Sequence, residues 1–195
     1  SGATQKEINE ETVGFYFGPR LNAIGRLGDA MPGVEFLLSK DMESATIFAK
    51  QLNEKNQERK GIVEEITKQA IEQIESDEKM KQALVHVVAG EGWNAGVVGI
   101  VASRLVEKYY RPTIVLAIDH DKGIAKGSAR SIEGFHLFDE LSKNREILPH
   151  FGGHPMAAGM TLQIEHVDEL RNRLNEQAKR CLTEEQLVPK VKIDV

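Results

Sequence analysis

Cysteine occurs once in the 195 residues, at Cys181. An intramolecular disulfide framework is therefore excluded, and with no secretory leader at the N-terminus a reducing, cytoplasmic compartment is expected. Long apolar runs are missing too. None approaches the roughly 18 to 20 residues needed to cross a bilayer, so no membrane partner is expected. Internal repeats and low-complexity tracts are absent, which argues against a solenoid or a disordered tail. An initiator methionine is lacking. The chain opens on "SGATQ" and closes on the strand-like "VKIDV", and it is expected to be a piece of a longer protein, Ser1 and its neighbours being left from cloning. A basic excess is also missing: the formal net charge is −5, where nucleic-acid recognition usually leaves a positive footprint.

The distribution of charge reverses that last exclusion. Residues 41–80 hold ten acids and six bases, whereas residues 90–160 hold eight of each. One acidic segment carries the imbalance. A phosphate responds to the field within a Debye length of roughly 8 to 10 Å, so a local cationic groove stays possible. With 41% hydrophobic and 28% charged residues, the chain has the composition of a globular protein with one ordinary core or two small ones.

Periodicity predicts three regions. Residues 1–40, with "GFYFGPRLNAIGRLGDA", read as an irregular opening segment with short helices, one near Leu21 to Ile24. Residues 41–82 read as a connecting region, one long helix from Asp41 to about Ser76: Ala45, Phe48, Leu52, then Val63, Ile66, Ala70 and Ile74 recur at helical intervals. Between Asn53 and Lys60 nothing apolar appears, so a solvated span with its two ends packed against different bodies is expected. Residues 83–195 read as an α/β domain with a mixed sheet and flanking helices. "ALVHVVAG", a helix from Asn94 to about Tyr110, and "PTIVLAI" make a βαβ unit. A turn at "DHDKG", a strand "IAKGSARS", a helix near Leu137 to Ser142, a strand from Met160 to Gln163 and a helix from about Val167 to Leu182 follow.

Between the last strands lies "FGGHPMAAGM", Phe151 to Met160, with three glycines and no charged side chain. Glycine is retained where φ must be positive or where another group lies against the main chain, so a ligand or a neighbouring strand must approach here. "GEGWNA", Gly90 to Ala95, fits G-x-G-x-x-G/A between a strand and a helix, with Asp119 closing the next strand, and an NAD-binding α/β domain is one alternative. Glu91 beside a pyrophosphate and the bulk of Trp93 count against it; a tight strand-to-helix turn is the plainer reading. Asp119, His120 and Asp121 read as a hairpin turn. His150 and His154 have the i, i+4 spacing of a helical metal pair, but Gly152 and Gly153 between them argue against a helix, and no metal site is expected. No Ser, His and Asp set sits in a nucleophile-elbow context, so no catalytic residue is assigned in this chain.

Small residues do recur beside arginine: "GPRLNAIGR" with Arg20 and Arg26, "GIVASR" with Ser103 and Arg104, "KGSARS" with Ser128 and Arg130. Such pairs suit phosphate, because small residues expose backbone N–H groups and an arginine fork adds bidentate bonds. Strand alternation puts Lys126, Ser128 and Arg130 on one face. A solvated strand face is the plain alternative for any one such pair, and an interaction module built on the acidic helix is the alternative for the whole.

In their order, "GPRLNAIGRLGDA", "GEGWNAGVVGIVASRL", "KGSARS" and "FGGHPMAAGM" resemble the RecJ-type single-strand DNA exonucleases of the DHH phosphoesterase superfamily. The resemblance runs from about Gly14 to Thr161 and implies the DHH-associated accessory domain with its interdomain helix. It implies a 5′ to 3′ exonuclease of recombination and repair whose Mn2+ or Mg2+ ions, metal-binding aspartates and Asp-His-His signature lie in an N-terminal catalytic domain, supplied in cis and absent from this chain; no cofactor is expected here. The implied partner is single-stranded DNA with its 5′ phosphate, held by Ser128 and Arg130, by Arg20, Asn22 and Arg26 of the opening segment, by Asn94, Ser103 and Arg104, and by a loop of Gly152, Gly153 and His154. Asn94 stands where many relatives have His after the Trp, which weakens an acid/base role there. Oligonucleotide or cyclic-dinucleotide phosphodiesterases of the same superfamily share a similar glycine-rich ending and are a further alternative.

Overall fold

A computed structural model describes residues 8–189; the strand expected at "VKIDV" lies outside them. The chain divides into two compact units, one running to Glu64 and one from Glu65 onward. None of the described helices is long and apolar enough to cross a membrane.

In the first unit a π-helical segment, Thr12–Phe17, leads into helix α1, Gly18–Leu27, and then α2, Met31–Leu38. Pro19 and Pro32 stand in the first turns of α1 and α2, where a missing N–H costs nothing. Helix α3, Met42–Ser76, contributes residues to both units. Its polar middle is less solvated than the sequence suggests, since Asn56 is buried beside Leu52 and accepts a 3.0 Å hydrogen bond from Arg59 Nη2. The helix ends at Ser76, where its apolar periodicity ends. Asp77 takes an extended conformation and its carboxylate accepts from the N–H groups of Lys79 and Met80, starting a separate short helix α4, Glu78–Lys81.

The second unit is built on a five-stranded sheet of order β1-β2-β3-β5-β4, with β1 His86–Glu91, β2 Thr113–Asp119, β3 Ile124–Arg130, β4 His150–His154 and β5 Ala157–Gln163. Only β1 and β2 run parallel, joined across helix α5, Val98–Tyr109; every other pairing is antiparallel, so the sheet is mixed as expected. Strand β2 is buried along "TIVLA" because both of its faces are covered. On one face Ile114, Leu116, Ala125, Ala129, Met160 and Leu162 pack with α6, Leu137–Ser142, and α7, Val167–Cys181, whose Leu137, Leu141, Leu170 and Leu174 are fully buried. On the other face α5 lies over β2 and β3 with Val97, Val98, Val101 and Leu105 buried.

The glycine-rich stretch is not a loop. It is the β4–β5 hairpin, and β5 begins at Ala157 rather than Met160. Beyond the reach of α5, strands β5 and β4 leave their side of that face open: Gly159, Gly152 and His150 are exposed, while Ala158, Met160 and Leu162 alternate into the core.

Candidate nucleic-acid interface

The register ties three strands into rows on the open face. Lys126, Thr161 and His150 form one row; Ser128, Gly159 and Gly152 the next; Arg130, Ala157 and His154 the third. These residues share a face because directly paired side chains point to the same side of a sheet. Lys126, Ser128, His150, Gly152, Gly159 and Thr161 line a groove of about 560 Å³.

Helix α5 closes one side. A Cβ added to Gly99 would lie 3.2 Å from Arg130 Nη2 and 3.3 Å from Ser128 Oγ, so the helix backbone rests against both phosphate candidates. Arg130 Nη1 donates to its neighbour's carbonyl, Ala129 O, at 2.8 Å, which holds the fork near the backbone. Ser103, one turn on from Gly99, donates to Gly99 O at 3.2 Å. Arg104 is exposed and lies roughly 140° round the helix from Gly99 at 3.6 residues per turn; the structure does not bring it to the Ser128–Arg130 pair.

Asn94 shapes the turn before α5. Its Oδ1 accepts from Gly96 N at 2.8 Å and its carbonyl from Val97 N at 3.0 Å. The "GEGWNA" glycine has an internal purpose. A Cβ on Gly90 would fall 2.1 Å from Trp93 Cε2, and the indole is locked by a 2.6 Å bond from Nε1 to Gln69 Oε1. Gly90 therefore seats a tryptophan instead of admitting a pyrophosphate, and Glu91 meets His120 Nε2 at 2.8 Å. Asp119 is a turn residue: Lys122 bonds it through both its backbone N–H and its ammonium, holding the carboxyl below the usual carboxylate range.

Adjacent glycines of β4 differ in role. At Gly152 an added Cβ would meet nothing within 4 Å, and at Gly159 only Gly127 O at 3.9 Å. At Gly153 it would strike Ala157 O at 2.3 Å. Gly153 is thus required by strand pairing and lies within β4 rather than in the expected loop of Gly152, Gly153 and His154, whereas nothing in the described chain requires Gly152. His154 is exposed, its Nδ1 accepting from Met156 N at 3.4 Å in the hairpin turn.

Arg20, Asn22 and Arg26 lie on α1 in the first unit. Arg20 Nη1 donates to Tyr16 O at 2.7 Å and its Nε to Asn53 Oδ1 at 3.3 Å. Asn22 and Arg26, four apart, share a helical face; Arg20 and Arg26, six apart, do not. Among the described residues no group of three or more His, Cys, Asp or Glu is placed to hold a metal ion. On β4 the histidines at 150 and 154 stand about 13 Å apart along the strand, too far to share one. The described residues do not fit the implied divalent metal.

The sequence brings up His150 only as a rejected metal ligand and does not single out Gly99, Gly159 or Thr161. Strand alternation flags the last two once β5 is known to begin at Ala157; Gly99 is visible only in the packing.

Residues 80–180 match the DHHA1 domain family. Over all 195 residues the chain is 55% identical to the single-stranded-DNA-specific exonuclease RecJ of Bacillus subtilis, covering 25% of that protein. It is 38% identical to the protein of the same description from Haemophilus influenzae, over 93% of this chain and 32% of the relative. The crystal structure of Thermus thermophilus RecJ with Mn2+ superimposes with a TM-score of 0.77 at 30% identity, over 87% of this chain and 24% of that one, and the Mg2+ complex gives the same TM-score. The chain thus spans about a quarter to a third of the length of the curated relatives it matches. By the match over residues 80–180, borne by the mixed sheet and the helices α5 to α7, it belongs to the DHHA1 domain family.

Proposed function

We propose that this chain is the strand-gripping part of a metal-dependent, single-strand-specific 5′ to 3′ DNA exonuclease of recombination and repair, and that it holds the DNA and its 5′ phosphate without cutting it. One observation carries the reading. Ser128 and Arg130 sit side by side under the α5 backbone at the rim of a groove floored by Gly152 and Gly159, where an added Cβ would meet nothing closer than 3.9 Å. An arginine fork and a hydroxyl bind phosphate oxygens by charge-assisted bonds, and a floor without Cβ atoms lets a sugar-phosphate chain lie on the sheet. Gly152 and His154 would border that chain, and Asn94 and Ser103 would keep α5 in place beside it. The names of the relatives support the substrate class.

The hydrolytic step belongs to Mn2+ or Mg2+ ions in a catalytic domain of the same polypeptide, outside this chain. Arg20, Asn22 and Arg26, on α1 of the first unit, are further candidate phosphate ligands. That unit exposes Phe15 (78%), Leu37 (67%), Leu38 (70%) and Met42 (81%), apolar surface that favours a neighbour in cis. A cytoplasmic setting goes with this reading, and the lone, half-buried Cys181 suits it.

The test is fluorescence anisotropy with a 3′-labelled dT12 carrying either a 5′ phosphate or a 5′ hydroxyl. Tighter binding of the phosphorylated strand is expected, with log affinity falling against log salt by roughly 0.7 per phosphate contact, and with no cleavage when Mn2+ is added. Absence of binding at low salt, or Mn2+-dependent cleavage by this chain alone, would refute the reading.

A further inference from the structure

We propose that the groove contains a second phosphate subsite, formed by Lys126, Thr161 and His150, and that an extended single strand runs along β3 from this subsite to the Ser128–Arg130 pair. The inference rests on the reading above and adds to it the path of the strand and a minimum length of ligand.

Four observations carry it. The three side chains are a single row across β3, β5 and β4, and all three line the same groove. The groove lining contains no aspartate or glutamate, although the whole chain is acidic. Five cations elsewhere in the second unit, Lys122, Lys143, Arg171, Arg173 and Lys179, are neutralised by carboxylates, whereas Lys126, like Arg104 and Arg145, is in no ion pair among the described residues. Among the described residues, the side chains of Lys126, Thr161 and His150 have no hydrogen-bond or ion-pair partner. An unpaired ammonium in an acid-free concavity focuses positive potential there.

Spacing then selects the ligand. Lys126 and Arg130 are four residues apart on β3, about 13 Å at ~3.3 Å per residue. That separation suits phosphates two repeats apart on an extended single strand. Between them lies the row Ser128, Gly159, Gly152, which offers one hydroxyl and otherwise bare backbone. A backbone crossing this row meets no side chain to climb over. A dinucleotide with one internal phosphate and one 5′ phosphate fills the Arg130 end and stops short of Lys126; a tetranucleotide reaches both ends.

The experiment measures binding of 3′-labelled, 5′-phosphorylated dT2, dT4 and dT12 to the 195-residue chain at low salt. Wild type is expected to bind dT4 several-fold more tightly than dT2. Lys126→Gln should cancel that gain, leave dT2 unchanged and reduce the salt slope for dT12 by about 0.7; Lys126→Arg should restore it. The pair Thr161→Val and His150→Gln should act in the same direction. Arg130→Gln should weaken all three ligands alike. Equal wild-type affinity for dT2 and dT4, or a Lys126→Gln loss that is the same for every length, overturns the second subsite while sparing the first. Loss of length dependence in Lys126→Gln with no effect of Arg130→Gln upholds this subsite and removes the 5′-phosphate role of Arg130. No binding of any oligonucleotide by wild type sinks both.

Discussion

One row of residues crosses all five strands: His86, Thr113, Arg130, Ala157 and His154. Its two histidines lie on the same sheet and in the same register, yet His86 is 2% exposed and His154 is open to solvent. Towards β1 the row lies in packed interior, where an edge-on Tyr109 stands 5.0 Å from the His86 ring. Towards β4 nothing of the described chain covers it. The contrast separates what the chain needs for itself from what it leaves for something else. Where the face is covered, the rows carry Val115, Thr113 and His86; where it is not, they turn to glycine, alanine and small or exposed polar side chains.

The sharpest way to test that contrast uses the two adjacent glycines of β4. Gly153→Val drives a Cβ into the β5 backbone, at 2.3 Å from Ala157 O, and should cost about 3 kcal/mol or more. For a chain of this size that lowers Tm by roughly 6 to 12 °C, as calorimetry would read. Gly152→Val places its bulk in open space and should shift Tm by under about 2 °C. If both variants melt alike, the distinction between an internal and an external reason for glycine is wrong.

Next in size is the buried end of the row. Burial, with the Arg111 charge second, lowers the pKa of His86 to about 4, and neither ring nitrogen has a hydrogen-bond partner. The folded state therefore resists protonation that the unfolded chain accepts near pH 6.5. Stability is intact above about pH 6.5 and falls as pH drops towards 4, by on the order of 3 kcal/mol at ~1.4 kcal/mol per pH unit. His86→Phe should flatten denaturant midpoints across that window. A wild-type midpoint that does not change between pH 6.5 and 4 would contradict the burial of a neutral imidazole.

At the open end the effect moves from folding to binding. Gly152→Val should weaken dT12 at least about tenfold, equivalent to ~1.4 kcal/mol, while leaving the melting curve in place. Affinity equal to wild type would mean that nothing lies on the glycine floor.

How much of this the sequence disclosed follows the same divide. β1, β2, β3, α5 and α7 are legible because they bury apolar residues with clear period, and the Lys126, Ser128, Arg130 face follows from alternation alone. β4 and the start of β5 are not. "HFGGH" and "AAG" contain no β-branched residue and only one aromatic, Phe151, to mark them as strands, for the same reason that they leave a bare floor. Gly90 misleads in the opposite way: its motif resembles a ligand turn, but the clash it avoids is with Trp93, a residue three positions on that no glycine pattern encodes. Register, the fact that assembles the rows, comes only from pairing β3 with β5 across the intervening α6 and β4.

The smallest expected effect marks where the open region ends. Beyond Lys126 the surface turns acidic: Asp119 and Asp121 line the neighbouring cavity that Lys126 also borders. Asp119 is engaged by Lys122, so Asp121 supplies the remaining negative charge facing an approaching phosphate. Its repulsion is exposed and therefore screened within roughly 8 to 10 Å at physiological salt. Asp121→Asn should raise dT12 affinity by under about twofold at low salt and by nothing measurable at 0.15 M, with dT2 unaffected at either. A larger gain, or one that persists at high salt, would mean that the strand passes the β2–β3 turn at contact distance and that the groove does not end at Lys126.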